Sequence, residues 1–193
     1  MRDRETKISI KKRIIMSKTH FETERLIIRE ADECDIEDLY ELYTDANVLK
    51  YNCIPPLTRE NIRDGIESGE YSFCIQLKGE GKVIGAVGFC DNGNMRHDVP
   101  SRCISYELNT KYTKKGYMTE AVVAFLRYCF EELGVDVVSA RVFDKNENSL
   151  RMLKRLGFTE EGRLRHAVRS ADGIIYDDCL FSILKSEFEN IYN

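Results

Sequence analysis

A basic turn set directly ahead of a long, one-sided apolar stretch has the clearest chemical consequence in this sequence. The run Tyr112-Thr113-Lys114-Lys115-Gly116-Tyr117-Met118-Thr119-Glu120-Ala121 leads into Val122, Phe125, Leu126, Cys129, Phe130 and Leu133, which recur at the spacing of one helical face. That spacing predicts a helix of about four turns, stopped by Gly134. A helix start leaves N–H groups that no carbonyl of the helix can take, and it adds the positive end of the helix dipole. Gly116 lets an anion approach the backbone, while Lys114 and Lys115 bring charge of matching sign. A diphosphate fits such a corner; a solvated Lys-Gly turn is the other reading the same residues allow.

The flanking elements fix where the corner lies. Residues 104–109 alternate and read as a strand, so the turn joins a strand end to a helix start. Residues 135–142 read as the next strand, followed by Asp144-Lys145-Asn146-Glu147-Asn148-Ser149 and a short helix over 150–156, closed by Gly157-Phe158. Two strands separated by one helix are expected to pair in parallel. Upstream, residues 25–31 form a first strand. A helix opened by Asp35 and Asp38 comes next, then the break at Pro55-Pro56, and a second helix capped by Thr58 and running to about residue 68. Residues 71–78 and 82–90 make a hairpin across Gly79-Glu80-Gly81, and Gly85 and Gly88 inside its second strand predict a bulge or a close backbone approach. A last hairpin, 163–169 with 174–184, turns at Ala171-Asp172-Gly173. The fold class is mixed α/β: a mostly antiparallel sheet of about seven strands with one parallel pair, flanked by about four helices. The polar, basic residues 1–20 are expected to be a flexible extension, and residues 21–193 a single domain.

Composition excludes several classes. The net charge of −4 gives no electrostatic footprint for nucleic acid, and no apolar run approaches a membrane span. Seven cysteines without a CxxC pair, and three histidines (His20, His97, His166) beside no cysteine cluster, argue for free thiols, a reducing cytoplasm and no metal.

Taken in order, Tyr106-Glu107-Leu108, Lys114-Lys115-Gly116-Tyr117-Met118-Thr119-Glu120-Ala121, Asn146-x-x-Ser149, Leu153-Lys154-Arg155-Leu156-Gly157-Phe158 and Glu161-Gly162 resemble the GNAT superfamily of N-acetyltransferases. The similarity is closest to the branch of ribosomal-protein N-terminal acetyltransferases and runs from about residue 21 to the C-terminus. It implies acetyl-CoA as donor and an amine as acceptor. This sequence departs from the family's phosphate loop at Thr113, where Gln or Arg is usual, at Lys114 for a glycine, and at Met118 for Gly or Ala.

The corner puts the diphosphate on residues Thr113, Lys114, Lys115, Gly116, Tyr117, Met118 and Thr119, and backbone N–H groups exposed at the end of the 104–109 strand, with Leu108 and Thr110 as the contacts, are expected to polarise the thioester carbonyl and bond the pantetheine amides; the resemblance adds Asn146 on the pantetheine arm and Arg155 and Lys154 near the adenosine phosphate. Acetyl transfer to an amine also needs a base, and Glu107 is the best-placed carboxylate: it alternates with Tyr106, so Tyr106 packing into the helix layer turns Glu107 to the opposite face. A surface carboxylate is the alternative for Glu107. The tyrosine that many relatives use on the departing thiolate is replaced by Leu153. The resemblance assigns that role to Ser149, which equally suits the cap of its helix. Tyr51 and Ile54, in the excursion between the first two strands, are acceptor-pocket candidates or simply loop residues packed on the core. The first-choice acceptor is a protein N-terminal α-amine; a polyamine or aminoglycoside amine, and a non-catalytic acyl-CoA-binding module, are the alternatives. A homodimer is compatible with either.

Overall fold

The computed structural model describes residues 20–68, 73–91 and 96–192. Eight strands form one sheet in the order β1-β2-β3-β4-β5-β6-β8-β7, where β1 is His20–Glu22, β2 Leu26–Arg29, β3 Phe73–Leu77, β4 Val83–Cys90, β5 Ser101–Leu108, β6 Val137–Phe143, β7 Thr159–Arg169 and β8 Ile175–Leu184. All neighbours are antiparallel except β5 and β6, the pair on either side of the long helix. The count exceeds the expected seven by β1, a three-residue strand whose Glu22-Thr23-Glu24 continuation carries no alternating apolar signal. Residues 71–72 of the expected β3 lie outside the described residues.

Six helices accompany the sheet among the described residues: α1 Ile36–Thr44, α2 Ala46–Leu49, α3 Arg59–Ser68, α4 Tyr117–Arg127, α5 Glu147–Arg155 and α6 Lys185–Tyr192. The two beyond the expected four are short. α2 is a single turn whose start is held by the Asp45 side chain, and α6 anchors itself mainly by Phe188, too few apolar positions to show a period. Asp35 does not cap α1. Its carboxylate pairs with Arg29 through two bonds of 2.7 and 2.8 Å, while Asp32 caps the preceding 3-10 turn. Thr58 caps α3 as expected, its hydroxyl oxygen accepting from Asn61 N at 3.1 Å. α5 begins earlier than the predicted residue 150, because Asn146 caps it.

The main core lies between one sheet face and α4, α5 and α6, with Phe125, Leu126, Phe130, Leu153, Phe181 and Phe188 buried there. A smaller core joins α1 and α3 to the opposite face of β3 and β4. α4 runs on into a π-helical turn, Tyr128–Glu132, and ends before Gly134 at φ 64°.

Two departures from regular strand geometry occur beside the central strands. β4 carries a bulge where its pairing with β3 steps from Ile75↔Gly85 to Gln76↔Val83. There Gly85 passes so near β5 that an added Cβ would lie 2.4 Å from the Glu107 carbonyl oxygen. In addition, β5 and β6 pair only from Ser101↔Val137 to Ile104↔Ala140, so the last four residues of β5 part from β6.

Candidate active site

A cleft of about 1700 Å³ opens where the strands part. It is bounded by the end of β5, the start of α4, the start of α5 and residues 47–52. Asn109 donates its N–H to Ile84 O at 2.9 Å, so the alternate residues Leu108 and Tyr106 turn their backbone groups toward the gap. A chain lying in the gap finds hydrogen-bonding partners that no strand has taken.

The corner ahead of α4 is a backbone construction. Lys114 at φ 61° and Gly116 at φ 83° both lie in the left-handed region, which reverses the chain and leaves Gly116 as the first residue whose carbonyl enters the helix ladder. The first intrahelical bond is Glu120 N to Gly116 O at 3.0 Å, so the N–H groups of Tyr117, Met118 and Thr119 have no acceptor within the helix. A cradle of this kind, with the Lys114 side chain and the positive end of α4, fits a diphosphate.

Arg25 and Glu120 hold the cradle against the sheet, and neither was legible from local sequence. Arg25 bonds Lys115 O at 2.9 Å and pairs with Glu120 at 2.6 Å, with its guanidinium 4.6 Å from the Tyr117 ring. Desolvation works against the Glu120 carboxylate, yet hydrogen bonds from Thr23 and from Arg25 hold it below its ordinary value.

Tyr106 and Glu107 take opposite faces, as the alternation requires. Tyr106 packs against the main core and its hydroxyl lies 2.5 Å from Ser149 Oγ at the start of α5. Burial drives the Tyr106 hydroxyl well above its ordinary value, so it stays protonated. Glu107 is half-buried on the cleft wall, and burial pushes its carboxyl up to about 7 against an opposing 3.4 Å hydrogen bond from Asn52. A carboxyl balanced near neutrality inside a cleft is suited to exchanging protons.

Most expected site residues line the cleft: Tyr51, Glu107, Leu108, Thr110, Thr113, Lys114, Gly116, Tyr117, Met118, Thr119, Asn146, Ser149 and Arg155. Lys115 and Ile54 do not line it, and Thr113 and Ser149 line it with their hydroxyls engaged by protein partners. The Lys115 ammonium lies over the Tyr112 ring, 5.5 Å from its centroid, and does not face the cleft. Thr113 donates its hydroxyl to Thr110 O at 2.9 Å, which leaves it no proton for a phosphate. Ile54 is exposed and away from the cleft. Ser149 does not cap α5; Asn146 does, accepting from Ser149 N at 3.3 Å, so the serine hydroxyl is left to Tyr106. Lys154 pairs with Glu160 at 2.8 Å, Leu153 is in the core, and His97 is exposed and outside the cleft. Asn52, Arg25 and Arg151 line the cleft without any local sequence signal; all three reach it through tertiary packing.

The family model for an acetyltransferase (GNAT) domain matches residues 25–159. The chain belongs to the GNAT acetyltransferase family. It is 33% identical over 177 residues to an uncharacterized N-acetyltransferase, p20, of Bacillus licheniformis, covering 86% of this chain and 96% of that one. A putative ribosomal N-acetyltransferase of Bacillus subtilis, YdaF, is 28% identical over 149 residues, 76% of this chain and 74% of that one. The solved GNAT acetyltransferase of Bacillus anthracis superposes with a TM-score of 0.76 at 28% identity, over 87% of this chain and 99% of that one. This acetyltransferase therefore uses acetyl-CoA and acts on an amine. Among the described residues no helix is long and apolar enough to cross a membrane.

Proposed function

We propose that the enzyme acetylates the α-amine of a protein N-terminus, with Glu107 as the base. The observation that carries the reading is the Glu107 carboxyl at about 7. An α-ammonium has a pKa near 8 and a lysine- or polyamine-type ammonium one near 10.4, so the α-ammonium gives its proton to the same carboxylate about 3 kcal/mol more readily. The similarity to the Bacillus subtilis protein whose name mentions ribosomal acetylation points the same way.

Acetyl-CoA supplies an activated acyl thioester. The unpaired backbone of Tyr106 and Leu108 orients it beside β5, and the α4 cradle with Lys114 takes the diphosphate. Glu107 Oε2, the oxygen not bonded by Asn52, receives the ammonium proton. The Tyr106 hydroxyl and Ser149 Oγ form the proton source on the opposite face. Tyr51 presents its ring to the acceptor side and is backed by the buried Tyr176, 6.0 Å away between centroids, which stacks on Phe143 at 5.1 Å.

The acceptor is tested by following thiol release with peptides bearing free N-termini, the same peptides N-formylated, and spermidine. Acetylation of the free peptides alone supports the reading. Equal turnover of spermidine, or none of any amine despite acetyl-CoA binding, overturns it.

Two variants test the donor side. Gly116→Val is expected to raise the KM for acetyl-CoA at least about tenfold, since a β-branched residue resists positive φ and its Cβ would press to 3.3 Å from the Arg25 guanidinium. Ser149→Ala should lower kcat about tenfold or less, because a thiol with a pKa near 8.5 departs tolerably without an acid; steady-state kinetics at pH 8 measures both.

A further inference from the structure

Seven cysteines are distributed through the fold, and two of them meet. Cys90 at the end of β4 and Cys103 near the start of β5 are register partners, with their Sγ atoms 3.0 Å apart. Following the ladder from the Asn109–Ile84 bond, they occupy a hydrogen-bonded antiparallel pair, whose Cα atoms stand about 5.5 Å apart, within the span a disulfide bridges. Cys90 is exposed and Cys103 is buried. Acetyl transfer uses neither.

Their surroundings favour a thiolate on Cys90. The 3.0 Å contact with the Cys103 thiol, against burial, holds Cys90 below its ordinary value; Arg141 adds a positive field, and Glu107 and Asp91 oppose it. Cys103 is driven up, first by the same contact and then by burial, so the proton stays there. Arg141 is itself fixed by Asp178, Nε to Oδ2 at 2.6 Å. The other exposed thiols lack this arrangement: Cys34 is raised by Asp35 and Cys53 by burial.

We propose that Cys90 and Cys103 form a peroxide-reactive thiol pair that closes reversibly to a disulfide across β4 and β5. Cys90 thiolate attacks one oxygen of hydrogen peroxide, giving a sulfenic acid and hydroxide. Cys103 sulfur then attacks the Cys90 sulfur; the S–S bond forms, and the sulfenic oxygen leaves as water, with the Cys103 proton and one proton from solvent neutralising the two hydroxides. The sum is two thiols and one peroxide giving one disulfide and two waters. Closure would fix the strand pair at the end of β5 opposite Glu107.

The test treats the reduced full-length protein with one equivalent of hydrogen peroxide and maps it by non-reducing peptide mass spectrometry. A linked peptide pair containing residues 90 and 103, two hydrogens lighter and restored by dithiothreitol, is the expected result. Limiting iodoacetamide at pH 7.5 should label Cys90 about tenfold faster than Cys34 or Cys53, in keeping with its larger thiolate fraction. Cys90→Ser should leave Cys103 reduced at the same dose, and Cys103→Ser should leave a Cys90 sulfenic acid that dimedone traps. Prior reaction of Cys34 or Cys53, or oxidation of Cys90 to a sulfinic acid with Cys103 untouched, overturns the proposal.

Discussion

Glu107→Gln is expected to lower kcat by about 10²–10⁴, the range that a positioned base contributes, while the KM for acetyl-CoA changes less than about twofold. In the wild type, kcat/KM should climb as pH rises through about 7, the point at which Glu107 loses its proton. In the variant the climb should track the α-amine itself, nearer 8. A profile whose lower limb stays near 7 after the substitution removes Glu107 from the mechanism. Stability supplies a second reading that does not depend on turnover. The folded carboxyl sits at about 7 against an ordinary 4.5, so ionising it costs the folded state about 3 kcal/mol. The unfolded chain binds fewer protons between those values, and stability therefore falls as pH rises across that window. Glu107→Gln should accordingly raise Tm at pH 8 and leave it nearly unchanged at pH 4.

Gly85→Ala should be strongly destabilising. The new Cβ would stand 2.4 Å from the backbone oxygen of Glu107, 3.1 Å from Leu108 Cδ1 and 3.3 Å from its Cα, and strand backbone cannot swing aside as a side chain does. A loss of about 3 kcal/mol is expected, which for a chain of this size lowers Tm by roughly 6–12 °C. The carboxylate and the gap-facing amides ride on the displaced segment, so kcat/KM should fall along with stability. Thermal melts and kinetics on Gly85→Ala, beside Gly162→Ala at a strand position with open space around it and no positive φ, separate this close approach from the general cost of replacing a strand glycine. Equal effects at the two positions would mean the strands are not so tightly apposed.

Local pattern carried the helices and strands whose faces are strongly one-sided. The 3.6 period of Ala121, Val122, Phe125 and Leu126 and the alternation through Tyr106-Glu107-Leu108 both appear as buried and cleft-facing sets in the fold. Gly85 also announced itself, since a strand glycine has few reasons to exist apart from such proximity. What stayed hidden depends on partners far along the chain. Arg25 grips Glu120 from 95 residues away, and Asn52 reaches Glu107 across 55. No window of sequence contains both members of either contact. The Asn146-x-x-Ser149 motif marks the start of α5, but the Tyr106 partner of the Ser149 hydroxyl lies on another element, beyond reach of a motif. α6 escaped notice because it is eight residues long and Phe188 is its one buried residue.

The parting of β5 from β6 makes the donor a structural member as well as a reagent. The two strands share a four-residue seam, and their facing amides beyond Ile104 are left to other partners. An extended pantetheine arm lying there, as the proposed function has it, would act as a makeshift ninth strand that zips the halves of the sheet together. Deuterium uptake at Tyr106 and Leu108 should then slow when coenzyme A is added, and the acceptor would meet a rigid platform only after the donor has arrived.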